Sequence, residues 1–547
     1  MKSNSYFFGA AFLAATLLVA CGGGRGGDDT PIIGPGGGGV TGASYLFYSG
    51  LLGVGNSNPG VLYAVDPANP TSPVAVEAGE NAIMGTIRTI RSGSYNGTTQ
   101  TITDSHSHAL IYAKTDGRFY RISALKSGSL TPVQISSESK ANQLCTSAGG
   151  RILLDGKTVI SDLANPDNSQ YVYSLPGMDN NCGTGDDEWK MIRLGMGAGD
   201  APVPAKRSLQ ALTDYATGAI SGWMVNDAGG LKHCDANFAN CGISVTSIVS
   251  DANVLLEIDI LGQRYLMEID DQLFVYDANA KTLSAPLLSI SSGSFVGSPV
   301  TDGSTVYFGY ETSIYQVPVD GSSMAAEFLA ETDHIAAMEL TASKVIYQVG
   351  AEIKAVNKAG GLASLLVSAA SDDNVYFFIT GSRIYYGIFN NKPPTIPMAN
   401  DIIKAGIVDE NGNIESEFLD AAWVGTTFST SIDLNDPVSR FDDPVGVILA
   451  EGDGNGFSGA ILKSFDAASG VEGVTLGTLP TSDDLPAFFC GGYENNVLCS
   501  ASVNINPAPA LPALPFQSDV FFINSVTAGS LARVTNTGDK NEAPLFF

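Results

Sequence analysis

"TVYFGYETSIYQVPVDGSS" (Thr305–Ser323) places an apolar run, a two-residue break, a second apolar run and an Asp-Gly turn in nineteen residues. Tyr, Val, Ile and Phe bounded by Gly, Asp and Ser are the punctuation of strands and tight turns. The same order returns in "KVIYQVGAEIKAVNKAGG" (Lys344–Gly361) and in "QRYLMEIDDQLFVYDANAKT" (Gln263–Thr282). Gln263 lies 42 residues before Thr305, and Lys344 lies 39 after it. Looser copies stand at Tyr45–Pro70, His108–Ser123, Arg383–Phe389, Val445–Gly470 and Val520–Gly538.

A period near 40 with roughly four strands per unit is the signature of a β-propeller blade. Each unit has two apolar faces and is stable only between neighbours. The expected fold is therefore all-β: a single propeller of seven or eight four-stranded blades over 44–547, with eight favoured. Two smaller propellers, or a sandwich appended to one, remain open. Spacing widens over 139–252 and 390–444, where loop insertions are expected. The first strand near Tyr45 and the last near Val520 are expected to share a blade and clasp the ring. "SSMAAEFLAETDHIAAMEL" (Ser322–Leu340) is the nearest approach to a helical pattern, and the repeat favours two strands broken at "ETD".

The phrases "LYAVDPANP", "LFVYDANAKT" and "SFDAASG" resemble the "YALD…G" turn of pyrroloquinoline-quinone-type propeller repeats. The family's tryptophan positions are not matched; the chain has only Trp189, Trp223 and Trp423. The resemblance implies strand-turn units and does not carry over the quinone. No cofactor is expected.

At the other end of the chain, Lys2 precedes an uncharged run, Tyr6 to Ala20, of 15 residues. That is short of the about 20 needed to span a bilayer and has the order of a secretory signal. Leu18-Val19-Ala20-Cys21 resembles the lipobox of bacterial lipoproteins, which implies cleavage after residue 20 and acylation of Cys21. Gly22 next to the cysteine resembles an outer-membrane address. Residues 21–43 follow as a Gly-rich tether with almost nothing to bury. Membrane attachment through this lipid anchor is the first partner expected.

Composition agrees with export and with sheets. Of 547 residues 62 are Gly, 44% are hydrophobic and 15% charged, and the net charge is −28. Such a field repels nucleic acid, so no nucleic-acid partner is expected. Apart from Cys21 there are six cysteines, an even number in an exported chain. Proximity favours Cys145–Cys182, Cys234–Cys241 and Cys490–Cys499, the last as a bridged hairpin around "GGYENNVL". Fifteen pairings are formally open, and a metal site is the competing use of these thiols.

Motifs of catalysis are weak throughout. "DSHSH" (Asp104–His108) offers Asp104, His106 and His108 as metal ligands, yet it lacks a further ligand nearby and reads more simply as a polar loop entering the strand "ALIYAK". "DENGNIESEFLD" (Asp409–Asp420) has Ile414 where a calcium loop needs Gly, and reads as a hairpin turn. "EGDGNG" (Glu451–Gly456) is likewise a turn. "GFSGA" (Gly456–Ala460) ends in Ala where a nucleophile elbow has Gly, and phosphate-binding glycine motifs are missing. No catalytic residue is assigned. The expectation is a binding or scaffold module of the cell envelope with a protein or glycan partner. An envelope hydrolase or lyase using channel acids, and an assembly factor for outer-membrane proteins, are the alternatives.

Overall fold

The computed structural model describes the chain in stretches between residues 45 and 544, continuously over 296–390 and 402–428. Every regular element described is a strand. The strands form antiparallel sheets numbered I to X here in chain order. Each takes its strands in meander order, first to fourth, except III, which has three.

Five of them carry most of the argument. Sheet V has Ala252–Asp259, Arg264–Ile269, Gln272–Asp277 and Thr282–Leu283, with Leu288–Ser289 beside the third strand. Sheet VI has Val296–Thr301, Thr305–Tyr310, Ser313–Pro318 and Ala326–Ala330. Sheet VII has Ile335–Leu340, Lys344–Val349, Glu352–Asn357 and Ser364–Ser368. Sheet VIII has Asp373–Thr380, Arg383–Asn390, Ile402–Asp409 and Ile414–Leu419. Sheet IX has Ala421–Phe428, Pro444–Glu451, Ile461–Asp466 and Glu472–Thr478.

Sheet X follows with Phe489–Tyr493, Asn496–Asn504, Phe516–Asn524 and Ala532–Arg533. Its first strand pairs in parallel with the first strand of IX, Gly425 opposite Cys490, so IX and X form one eight-stranded sheet. Sheet I joins the two ends of the chain. Lys540–Pro544 is its first strand and pairs with Leu46–Leu52, followed by Val61–Val65 and Val74–Ala75. The strand that meets the first is therefore 540–544 rather than the one near Val520, which belongs to X.

Sheets II (82–134) and IV (208–243) are four-stranded, III (170–203) is three-stranded, and a two-stranded ribbon covers 146–152. Counting the eight-stranded sheet as two, nine units among the described residues have four or five strands. This exceeds the seven or eight expected. The wide spacings read as insertions hold strands of their own: sheets III and IV fill the first, and Ile402–Asp409, Ile414–Leu419 and Ala421–Phe428 fill the second.

The strand patterns follow from what covers each strand. Thr305–Tyr310 is buried at five consecutive positions, because a neighbouring sheet covers each face. Fourth strands are edges, and Ile414–Leu419 alternates between exposed and half-buried side chains. Nearly every repeat copy read from the sequence lies on a second–third strand hairpin; Val520–Gly538, on the third and fourth strands of X, is the exception. "SSMAAEFLAETDHIAAMEL" is two strands, Ala326–Ala330 and Ile335–Leu340, as the repeat implied.

Apolar seams join the sheets in chain order. Leu273, Val275 and Ile290 of V meet Val306, Phe308 and Val317 of VI. Tyr307 and Ile314 of VI meet Met338, Val345 and Tyr347 of VII. Ile346 and Ile353 of VII meet Phe377, Ile379 and Tyr386 of VIII. Phe378 and Tyr385 of VIII meet Trp423, Val447 and Phe465 of IX, where the Tyr385 ring stands edge-on to Trp423 at 5.0 Å. Ile448 and Leu462 of IX meet Val497 and Phe521 of X. Val520 and Phe522 of X then meet Leu46 and Tyr48 of I, and Phe47 of I meets Ile122 of II. Met224 of IV packs on Tyr265 and Phe274 of V.

Candidate interaction surfaces

A four-strand meander has two ends. One carries the first–second and third–fourth turns, the other the second–third turns and the links between sheets. The two ends have different chemistry.

At the first end, the third strands of I and of V to X close on an Asx residue. The Asp66 carboxylate accepts the Ala68 N–H (2.9 Å), Asp277 that of Ala280 (2.8 Å) and Asp320 that of Ser322 (3.0 Å). Asp409 accepts from both Asn411 and Asn413, and Asp466 from Ser469 (2.7 Å). Asn524 holds Val526 and the Thr527 hydroxyl, while Asn357 uses its backbone carbonyl to hold Gly360. Short Asx side chains satisfy backbone donors that a turn leaves over. The Asp of the quinone-type phrases is thus a turn former. At Asp409, burial would raise the carboxyl, but bonds from Asn413 and Asn411 outweigh it and hold it below the ordinary range. The Ser322 hydroxyl and N–H do the same for Asp320.

These turns also hook each sheet to the one before it. A Cβ on Gly321, whose φ is +64°, would lie 2.9 Å from Val275 of sheet V, so this turn seats directly on its neighbour. The Lys358 ammonium in the third–fourth turn of VII is 3.4 Å from Asp302 of VI. Burial alone would raise Asp302; the N–H groups of Thr305 and Ser304, the Ser304 hydroxyl and Lys358 lower it on balance. The Glu410 carboxylate of VIII accepts the hydroxyls of Thr341 (2.5 Å) and Ser343 (2.8 Å) of VII. Lys344 of VII donates to the Glu410 carbonyl (2.6 Å) and to Asn411 (3.0 Å). Arg383 and Tyr385 of VIII donate to the carbonyls of Ala468 and Ala467 of IX, both at 2.7 Å.

The opposite end is tipped with acids. Asp270, Asp271 and Glu311 hold hairpin tips at φ of 45°, 59° and 52°, and Asp420 links VIII to IX at 49°. Left-handed backbone is usually left to Gly or Asn, and Gly350 takes the equivalent tip in VII. Asp333 and Asp372 are exposed in the links before VII and VIII. Beneath them Glu331 accepts from the Tyr347 hydroxyl (2.5 Å) and the Lys354 ammonium (3.0 Å).

Two carboxylates are buried among the described residues, in different sheets. Asp519 of X is ion-paired with Arg533. Glu339, on the first strand of VII, is 4% exposed. Burial pushes its carboxyl well above the ordinary range, with no cation among the causes. A glycosidase-type pair needs two carboxyls about 5–9.5 Å apart, and these two do not share a strand or a seam.

The remaining expected residues fall as follows. Cys490 and Cys499 are disulfide-bonded across the first hairpin of X, as the spacing implied. Cys234 is disulfide-bonded and lies opposite Cys241 in sheet IV. Cys21, Cys145 and Cys182 lie outside the described residues, as does most of "EGDGNG" and "GFSGA". Asp104, His106 and His108 are not in a loop: they lie within strand Thr101–Lys114, opposite Gly93, Arg91 and Thr89. The preceding strand is long enough to extend the pairing through them. No group of three His, Cys, Asp or Glu suited to a metal occurs among the described residues. "DENGN" is a hairpin turn whose Asp409 oxygens are taken by Asn411 and Asn413. His233 of IV is bonded to the Tyr276 hydroxyl of V (3.0 Å).

No family model matches the chain, and no curated protein matches its sequence. Among solved structures, a eukaryotic initiation factor is 12% identical, with 92% of this chain and 99% of that one covered at a TM-score of 0.41. Sqt1 of Saccharomyces cerevisiae is 8% identical, covering 64% and 94% at 0.31. The computationally designed Ika8 protein is 12% identical, covering 58% and 84% at 0.29. Likeness at these scores carries no argument about this chain.

Proposed function

We propose that the chain is a lipid-anchored module of the bacterial cell envelope, a closed β-propeller that binds or scaffolds a partner. Ring closure is supported by the unbroken succession of seams from V through X to I and II, and by the sharing of sheet I between the two chain ends. On this reading the blades number at least nine. Closure hides the apolar faces that an open row of sheets leaves exposed at its two ends.

One observation carries the binding role. The described turn carboxylates and seam cations are committed to holding the fold, while exposed groups gather at the two ends of the sheets. A broad face built of loops on a rigid ring suits a protein or glycan partner. The acidic field does not suit nucleic acid. Cys21 acylation sets the address, with the outer membrane favoured.

Cross-linking of intact envelopes followed by recovery of the full-length chain tests this. A stoichiometric protein or glycan partner is the expected result. Turnover of an envelope polymer by the purified chain, with no partner recovered, overturns it. Separately, Cys21→Ser is expected to move the chain from the membrane to the soluble fraction.

A further inference from the structure

The apolar residues that the fold leaves uncovered are not scattered. Nine large hydrophobic side chains are exposed among the described residues, and eight of them sit at the Asx-turn end. Each of six sheets presents one in or just after its third-strand turn: Val74 in I, Met324 in VI, Leu362 in VII, Ile414 in VIII, Val471 in IX and Val526 in X. Leu365 and Val445 stand beside them in VII and IX; only Leu419 lies at the other end. Met324 is 72% exposed and Leu362 96%. Exposed apolar residues are ordinary when single. Recurrence in the third-to-fourth-strand connection of six sheets is not explained by burial, since none of these side chains is buried.

The chain enters the fold at this same end. Leu46 opens its strand opposite Val65, next to the Asp66 turn. Between Cys21 and Tyr45 run 23 residues, which as a Gly-rich coil have a root-mean-square reach of about 24–29 Å. An anchor at Cys21 thus keeps the Asx-turn end close to the bilayer.

From this we infer that the Asx-turn end is a lipid-docking rim, its apolar studs resting at the headgroup–acyl boundary of the membrane that holds Cys21. The inference rests on the lipid-anchor reading above. Isolated studs separated by polar turns fit a fluid lipid surface. They do not fit a second copy, whose interface needs a continuous close-packed core. Docking of this kind scales with apolar area and is reversible by itself, so anchor and rim act together.

The test uses the full-length acylated chain on vesicles of phosphatidylethanolamine and phosphatidylglycerol. Reporter variants Met324→Cys, Leu362→Cys and Val471→Cys mark the rim, and Asp333→Cys marks the opposite end. Each is labelled with a membrane-impermeant maleimide, and the added signal is read over the parent chain. Rim labelling is expected to slow about tenfold on vesicles, as for side chains held in the interface, while Asp333→Cys labels at its free rate.

Equal rim rates with and without vesicles, in a chain that cosediments through Cys21, overturn the rim and leave the anchor standing. A Cys21→Ser chain that cosediments as well as the parent removes the anchor reading; rim protection in that chain still supports docking, and its lack overturns docking too. Protection that precedes vesicles and grows with protein concentration gives the rim to a second copy and also overturns the inference.

Discussion

The seam between sheets IX and X and the seam between VII and VIII do the same job by different means. IX and X share backbone hydrogen bonds between parallel first strands, with Gly425 against Cys490. VII and VIII meet through apolar side chains and through Glu410, which takes the Thr341 and Ser343 hydroxyls. A backbone seam tolerates little volume, because strands in register stand about 4.8 Å apart. A hooked seam depends on a few polar side chains and tolerates change elsewhere. Neighbouring units of one repeat therefore have different points of failure.

The sharpest break is expected at Gly425. A Cβ there would lie 2.3 Å from the Cys490 Cβ and 2.4 Å from its carbonyl oxygen. Gly425→Ala should cost about 3 kcal/mol or more by overpacking, read as a fall in urea midpoint. Gly412→Ala, in the VIII turn at φ +88° with no neighbour nearer than 3.5 Å, should cost only the left-handed penalty of about 1–2 kcal/mol. Equal losses would remove the distinction between the seams.

Next comes the disulfide beside that seam. Cys490→Ala with Cys499→Ala opens a bridge with a sequence separation of 9, which the chain-entropy relation rates at about 2–3 kcal/mol. The measurement is melting with and without reductant, and an unchanged midpoint in the double variant would refute it. On the hooked seam, Glu410→Ala should cost about 1–2 kcal/mol, as for charged hydrogen bonds at a partly exposed site. Combined with Thr341→Val, the losses should be less than additive; strict additivity would show that the two groups do not act together.

The smallest contrast concerns pH. Burial, and then the charge of Lys281, lowers the pKa of His233 in the IV–V seam below 6.5. The folded state then binds fewer protons than the unfolded one, so this contribution to stability is present above 6.5 and is lost as pH falls through and below it. The effect is small because the ring is only half buried. A shallow decline of melting temperature below pH 6.5, flattened in His233→Gln, is expected; parallel slopes in the two chains would disprove it.

Much of this was legible in residues. The second–third strand hairpins announce themselves because seams cover both faces, giving runs such as "TVYFGY" and "KVIYQV" bounded by short turns. The bridge of Cys490 to Cys499 was legible from nine residues of spacing between apolar runs. Sheets III and IV were not, since their strands are interleaved with polar residues at uneven spacing and looked like insertions. The extent of strand Thr101–Lys114 through "DSHSH" was hidden too, because its polar residues are held in the sheet by pairing with 82–96. The Asx turns were seen as a phrase, but their role needed the hydrogen bonds.

The sequence by itself determined that this chain builds short sheets with two greasy faces, because alternation and turn residues are local properties of neighbouring amino acids. It also carried the lipobox-like run and the Gly-rich stretch behind it. Only the tertiary structure decided which strands meet across long separations: that 540–544 pairs with 46–52, that IX and X merge through Gly425, and that the uncovered Met, Leu, Ile and Val side chains gather at one end. Those outcomes depend on how successive sheets stack, and stacking is settled by shape and contact between distant segments rather than by any one stretch of chain.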